Sequence, residues 1–329
     1  MESSIGFENE KNFIINNYNN LILHNSIILS GDKGIGKRTF VFDIIKNLIS
    51  QNISKDKLDH HINLINNNTH SNIKYITSIY DSKLKKLKNY ITVDQIRNLI
   101  SFANETSIFK NLNKFIIIDS ADELNINSAN CLLKLLEEPN KDIFIFLITH
   151  NQSKLLPTIK SRCIKIKFLN HNFDSFKSIL VNKFDLIEEN HIKFLFDLSK
   201  GSPGKAIEFY DNDILNNYDN LIQCILNSKS MNENHFIISK KLSIYENEKF
   251  KNFLLIIKFI LLNLLKIKFG LNLNKYYISN VFTDLINVSQ NVSKKSLFNR
   301  LEYLINNEND LFTYNLDKNL FMLNFFLIK

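Results

Sequence analysis

Ser26-Ile-Ile-Leu-Ser-Gly-Asp-Lys-Gly-Ile-Gly-Lys-Arg-Thr-Phe40 joins a short apolar run, a loop with three glycines and the start of a helical pattern. Ser26 to Ser30 reads as a buried strand. Phe40, Val41, Ile44, Ile45 and Leu48 recur at the spacing of one helix face. Between them, Gly31, Gly34 and Gly36 precede Lys37. A phosphate cradle needs glycines there, because backbone N–H groups must converge on oxygens with no Cβ in the way. The helix N-terminus and a lysine then add positive charge. Strand, glycine loop and helix in this order predict a P-loop in an α/β domain.

Further runs extend the pattern on the C-terminal side. Lys114 to Asp119 and Ile143 to Thr149 read as buried strands, and Ile164 to Phe168 alternates with Lys165 and Lys167 as a half-exposed one. Cys131, Leu132, Leu135 and Leu136 mark a helix face that Pro139 terminates. Strands separated by helices imply a parallel sheet with helices on its faces. After about residue 170 the pattern changes. Phe173 to Phe209 reads as short helices broken by Gly201-Ser-Pro-Gly204, and the remainder shows only helical periodicity, with apolar stripes at 253–269 and 276–286. The expected organisation is an α/β P-loop domain over 1–168, a helical lid over 169–211 and an all-α domain over 212–329.

Composition narrows the function classes. Of 329 residues, 44% are hydrophobic and 22% charged, so the chain is globular, and seven glycines and three prolines exclude collagen-like or linker character. The abundance of Asn, Ile and Lys reads as the codon usage of an AT-rich genome rather than as a functional tract. A net charge of +8 is compatible with a polyanionic partner. The polar opening MESSIGFENEKNF is not a signal peptide. Phe253 to Leu265, interrupted by Lys258 and Asn263, is shorter than the roughly 20 apolar residues that cross a bilayer, so it reads as a buried helix. Cys131, Cys163 and Cys224 lie far apart, which suggests neither a disulfide framework nor a zinc site and makes the cytoplasm the expected compartment.

The cradle departs from a working hydrolase in two places. A P-loop places Ser or Thr after its lysine to hold Mg²⁺, whereas here Arg38 follows Lys37 and Thr39 lies one residue on, about 100° around the helix. Asp119 ends the second strand, where the Mg²⁺-associated acid belongs, but Ser120 follows where hydrolytic members carry Glu. Asp122 and Glu123 come later, and the change from strand to loop is expected to aim them away. Thr149, ending the third strand, reads equally as a γ-phosphate contact and as a turn cap. Both defects point to weak or absent hydrolysis.

Several stretches together resemble the AAA+ clamp-loader subunits of bacterial DNA polymerase III, most closely their delta-prime branch. They are Ile91-Thr-Val-Asp-Gln-Ile-Arg-Asn-Leu99, Lys114 to Leu124, Asn127-Ser-Ala-Asn-Cys-Leu-Leu-Lys-Leu-Leu-Glu-Glu-Pro139, Ile143 to Thr149, and Leu156-Pro-Thr-Ile-Lys-Ser-Arg-Cys163. With the P-loop, the resemblance covers roughly residues 20–210. It implies an AAA+ domain, a small helical lid and a helical collar that joins other subunits. It makes Arg162, in Ser-Arg-Cys, a finger offered in trans to ATP on a neighbouring subunit, where a planar fork stabilises charge on the transferred phosphate. It gives Thr149 the place of a phosphate sensor. It implies ATP or ADP with Mg²⁺ at Gly31, Gly34, Gly36, Lys37, Thr39 and Asp119, against which Arg38 and Ser120 stand.

The resemblance also sorts the branches. Active motor subunits carry Gly-Lys-Thr or Gly-Lys-Ser, an Asp-Glu pair and a lid arginine. Here Gly204 holds the lid position, as in delta-prime-like sequences, and Lys205 follows. Many relatives carry a four-cysteine zinc module, but residues 40–113 contain no cysteine, so no zinc is expected, and His60, His61 and His70 read as solvated loop histidines. The implied partners are gamma/tau and delta subunits, the sliding clamp and primer–template DNA, with no membrane. The basic run Lys83-Leu-Lys-Lys-Leu-Lys88 reads as a solvated face first and a phosphate-backbone contact second. The competing reading is an ATP-hydrolysing motor subunit of the same assembly.

Overall fold

Residues 4–78, 80–81, 86–87, 90–184, 186–211, 233–271 and 292–328 are described by a computed structural model of the chain. The basic run at 83–88, the stripe at 276–286 and Cys224 lie wholly or largely outside the described residues. Two compact units divide the chain, Met1–Ser175 and Phe176–Lys329.

The first unit runs α1 (Glu8–Asn19), β1 (Ser26–Ser30), α2 (Lys37–Ser50), α3 (Lys55–Asn66), β2 (Ile73–Ile76), the short hairpin β3 (Tyr80–Asp81) and β4 (Lys86–Leu87), α4 (Val93–Asn104), β5 (Lys114–Ile118), α5 (Ile126–Glu137), β6 (Ile143–Thr149), α6 (Pro157–Ser161) and β7 (Ile164–Lys167). Five strands form one parallel sheet in the order β2-β5-β6-β1-β7. The three inner strands are buried along their whole length. That is what continuous Ile/Leu/Phe runs require when helices cover both faces. Alternate residues divide between two cores. Ile27, Leu29, Phe115, Ile117, Phe146 and Ile148 pack with Phe40, Val41, Ile44 and Leu48 of α2. Ile28, Ile116, Ile118, Ile145 and Leu147 pack with Ile96 and Leu99 of α4 and Leu132 and Leu136 of α5.

Local chemistry sets the helix ends. Thr92 and Gln95 form a reciprocal capping box at the start of α4. At its other end the buried Lys114 ammonium donates to the carbonyls of Phe102, at 2.6 Å, and Glu105. That places a cation at the negative end of the helix dipole. The Asn125 side chain caps α5 by accepting from Ser128 N.

Two expectations change. The edge strand β2 is not evident from Ile-Lys-Tyr-Ile, four residues with only Ile76 buried. His61 and His70 are not solvated: they are 5% and 3% exposed, and they pack on Phe109. Asn72 N donates to His70 Nδ1 at 3.2 Å, so His70 carries its proton on Nε2 and donates it to His61 Nδ1 at 3.0 Å. Desolvation, then the neighbouring His61, pushes the His70 pKa down to about 4, and burial also lowers that of His61.

The second unit is helical where it is described. It holds α7 (Phe173–Lys183), which begins just before the division, α8 (Glu189–Ser199), α9 (Pro203–Asp211), α10 (Glu233–Ser243), α11 (Asn247–Lys268), α12 (Lys294–Thr313) and α13 (Lys318–Leu327). The apolar face of α11, from Phe250 through Phe253, Ile257, Ile260 and Leu264, is buried. Lys258 of α11 pairs with Glu308 of α12. Arg300 of α12 is fully buried and donates from Nε to Ile328 O at 3.0 Å and from Nη2 to Phe326 O at 3.3 Å. A guanidinium thus closes the C-terminal end of α13, where unpaired carbonyls collect.

Two measurements check these packings. Arg300→Met leaves buried carbonyls without donors, at a cost of about 1–3 kcal/mol each, so its melting temperature falls by several degrees in calorimetry. For the histidine pair, the folded state holds the neutral rings. Its contribution is full above the unfolded pKa of about 6.5 and is lost as pH falls toward about 4. Melting temperature therefore declines across that window, and less steeply in His70→Gln.

Candidate nucleotide cradle and surface arginine

Parallel pairing fixes the geometry of the site. Ser30, the last residue of β1, lies opposite Thr149, the last of β6, and Gly31 N donates to Thr149 O at 3.3 Å. The glycine loop therefore starts beside the residues that follow β6. On its other flank, Phe168 N donates to Ser30 O at 2.7 Å, and a Cβ on Gly31 would meet Phe168 O at 2.6 Å. That close approach accounts for glycine at this position. Asn170 Nδ2 donates to Asp32 Oδ2 at 3.0 Å, and His171 Nε2 donates to Ile35 O at 2.8 Å, so both sides of the loop are clamped. Gly36 has φ 97°, a left-handed conformation, and a Cβ there would meet nothing within 4 Å, so the mouth of the cradle is open space.

Lys37 opens α2 and is 3% exposed. Its ammonium donates to Gly31 O at 2.6 Å, to Asp32 O at 2.7 Å and to His150 Nδ1 at 3.0 Å. Lysine only donates, so His150 Nδ1 accepts and its ring proton sits on Nε2. Burial, and then the Lys37 charge, lower the His150 pKa and keep the ring neutral.

Asp122 does not point away from the site. Ser120 adopts a left-handed turn at φ 64° that folds the chain back into the 3-10 turn Ala121–Glu123. Asp122 Oδ1 there accepts from Thr149 Oγ1 at 3.0 Å and from His150 N at 2.9 Å. Thr149 is fully buried with its hydroxyl engaged in this way. Asp119 accepts from the Tyr75 hydroxyl at 2.8 Å, and desolvation followed by the Asp119 charge raises the Tyr75 pKa. Arg38 lies over the Tyr75 ring, 4.4 Å from its centroid. Thr39 stands in the first turn of α2, half-buried.

Arg162 stands apart from this cluster. It is the C-cap residue of α6, where Nη1 donates to Thr158 O at 3.0 Å and Nη2 pairs with Glu137 Oε1 at 2.9 Å. Glu137 is the last residue of α5, and the Arg162 side chain is 36% exposed. The structure thus gathers Gly31, Gly36, Lys37, Asp119 and Thr149 at the C-terminal ends of the inner strands. Tyr75 and His150 join the picture as residues that no sequence motif marks, and Glu137, inside the Leu-Leu-Glu-Glu-Pro motif, joins it as the partner of Arg162. His150 had one legible signal, its place directly after Thr149.

The cradle fits a polyphosphate in its glycine backbone but not in its side chains. The lysine, the sensor hydroxyl and the strand-end acid are all engaged with neighbours. Among the described residues no cluster of three metal-ligating side chains is present.

These features define an α/β protein whose parallel sheet carries a glycine loop of P-loop pattern between β1 and α2. The sequence profile described as DNA polymerase III, delta subunit, matches residues 8–172, half of the chain, and the chain belongs to that family. Its fold is α/β, a five-stranded parallel sheet with flanking helices, followed by a helical C-terminal part. DNA polymerase III subunit delta' of Pseudomonas aeruginosa is 47% identical over 75 residues, 23% of each chain. That of Escherichia coli is 25% identical over 193 residues, 58% of this chain and 55% of its own. That of Bacillus subtilis is 53% identical over 55 residues, 17% of each. The matches therefore span from about a sixth to just over half of these relatives' lengths.

The Tyr75–Asp119 bond is testable by itself. Tyr75→Phe removes a donor to a carboxylate, worth about 1.5–3 kcal/mol when desolvated and less at this half-buried position. Chemical denaturation should show a loss of about 1 kcal/mol.

Proposed function

We propose that this chain is a delta-prime-type subunit of the DNA polymerase III clamp loader, a scaffold that does not hydrolyse ATP itself. Membership of the family supports the assembly. One observation carries the role: Arg162, the arginine of the Ser-Arg-Cys motif, is presented at the surface, while the chain's own phosphate-binding groups are engaged internally. Arg162 then acts as a finger toward ATP held by a neighbouring gamma/tau-type subunit. A guanidinium is suited to this, because its planar fork donates two parallel bonds to phosphate oxygens and its charge persists at every working pH.

Glu137 and the Thr158 carbonyl hold that fork in one orientation before a partner arrives. An exposed pair of this kind is worth about 0–1 kcal/mol, so phosphate displaces the carboxylate at little cost. In this reading the helical second unit joins the collar of a hetero-oligomer containing delta and gamma/tau. The assembly opens a sliding clamp and places it on primer–template DNA in the cytoplasm. Contact with DNA runs through the phosphate backbone and weakens with salt.

The test is ATP turnover by an assembly of gamma/tau, delta and this chain on clamp and primed DNA. Removing an arginine finger costs on the order of 10³-fold at the site it serves. Arg162→Ala should lower total turnover by that site's share while gel filtration shows an unchanged complex. The chain alone should be inert. Turnover by the isolated chain that Lys37→Ala abolishes would instead make it a motor.

A further inference from the structure

The mouth of the cradle is open space at Gly36, so a barrier to ligands has to come from the side chains around Lys37. Lys37 has three ammonium protons, and three acceptors take them: Gly31 O, Asp32 O and His150 Nδ1. Two of these are loop carbonyls. The third is an imidazole nitrogen that reaches the lysine from the far side of the β1–β6 pair. The imidazole is not a loosely placed ring. His150 N and Thr149 Oγ1 both donate to Asp122 Oδ1, at 2.9 and 3.0 Å, and Thr149 O accepts from Gly31 N. The acceptor, the lysine and the loop are therefore parts of one hydrogen-bonded frame set by the Ser30–Thr149 register.

We propose that His150 is the residue that excludes nucleoside polyphosphates from this cradle, because it serves as the internal ligand of Lys37 in place of a phosphate oxygen. The ring fills the third acceptor position of the ammonium with a neutral nitrogen. A polyphosphate has to break that contact before the lysine can turn toward it. Arg38 and Tyr75 engage each other and Asp119 instead, so the Lys37–His150 bond is the side-chain contact through which phosphate access is controlled. The inference stands independently of the role given to Arg162, since it concerns only what the chain's own loop admits. It goes beyond the two sequence defects at Arg38 and Ser120, which concern metal and water rather than phosphate binding.

A hydrogen bond from a charged donor is worth enough to change an equilibrium about ten- to a hundredfold. The experiment titrates ATP and inorganic tripolyphosphate into the full chain by calorimetry, using wild type, His150→Phe, Lys37→Ala and the double variant. Phenylalanine keeps the ring volume and removes the acceptor. His150→Phe should bind both probes at least tenfold more tightly than wild type, and the gain should vanish when Lys37→Ala is added. Equal binding by wild type and a folded His150→Phe overturns the proposal, and so does a gain that survives loss of the lysine. If His150→Phe does not fold, nitrogen-15 imidazole spectra of the wild type decide. An unprotonated Nδ1 that changes environment in Lys37→Ala supports the latch, and a protonated Nδ1 removes it. Failure of this proposal leaves the Arg162 experiment untouched, because that reads turnover on a neighbouring subunit.

Discussion

A buried ammonium ion has to find three acceptors, and the way Lys37 meets that requirement organises the site. A lysine that is 3% exposed and unpaired would carry a heavy desolvation cost. Two acceptors come from the loop's own carbonyls, which curls the loop around the lysine. The third comes from His150, which is within reach only because β1 and β6 are parallel neighbours whose last residues are paired. That pairing rests in turn on two cores, since Ile27 and Leu29 face α2 while Ile28 faces α4 and α5. A slip of one residue would exchange those faces and carry His150 away from the loop. The chemistry of the cradle thus depends on sheet register rather than on the glycine motif alone.

The same frame explains why Asp122 and Thr149 behave unlike free catalytic groups. Ser120 takes a left-handed turn, and the chain folds back under the end of β6. Asp122 then satisfies a buried hydroxyl and a backbone N–H at the start of a loop, where both need an acceptor.

The sequence made the inner strands, the P-loop and the principal helices legible because those signals are long or chemically specific. Ser26–Ser30 and Ile143–Thr149 have the boundaries expected of them, and Gly31 to Lys37 joins β1 to α2 as its spacing requires. The edge strand β2 escaped because Ile-Lys-Tyr-Ile is only four residues long and has only one buried residue. Its absence from the sequence reading concealed Tyr75, and with it the partner of Arg38 and Asp119. His61 and His70 misled for a related reason. His61 lies within α3 and His70 in the loop that follows it, in a polar, Asn-rich stretch, and packing against Phe109 takes them out of water. Pairwise contacts such as His150 with Lys37, or Glu137 with Arg162, join residues 113 and 25 positions apart and have no local pattern to betray them.

The two cations of the first unit show how a phosphate-handling fold can turn its chemistry outward. Lys37 is a compact point charge that three internal acceptors can satisfy completely, so folding the loop onto it removes it from play. Arg162 has five donors in a rigid plane, and its cis contacts with Thr158 O, Glu137 and, at 3.4 Å, Ser161 Oγ do not use them all. Placed at a helix C-cap, at the surface, it retains donors for an anion that the chain does not itself supply. The lysine finds an acceptor in a single histidine within the sheet's own register, whereas the arginine is left with donors that no contact of the chain takes up. An internally satisfied lysine and a surface arginine with spare donors are therefore compatible in one domain, because the register that holds the first does not constrain the second.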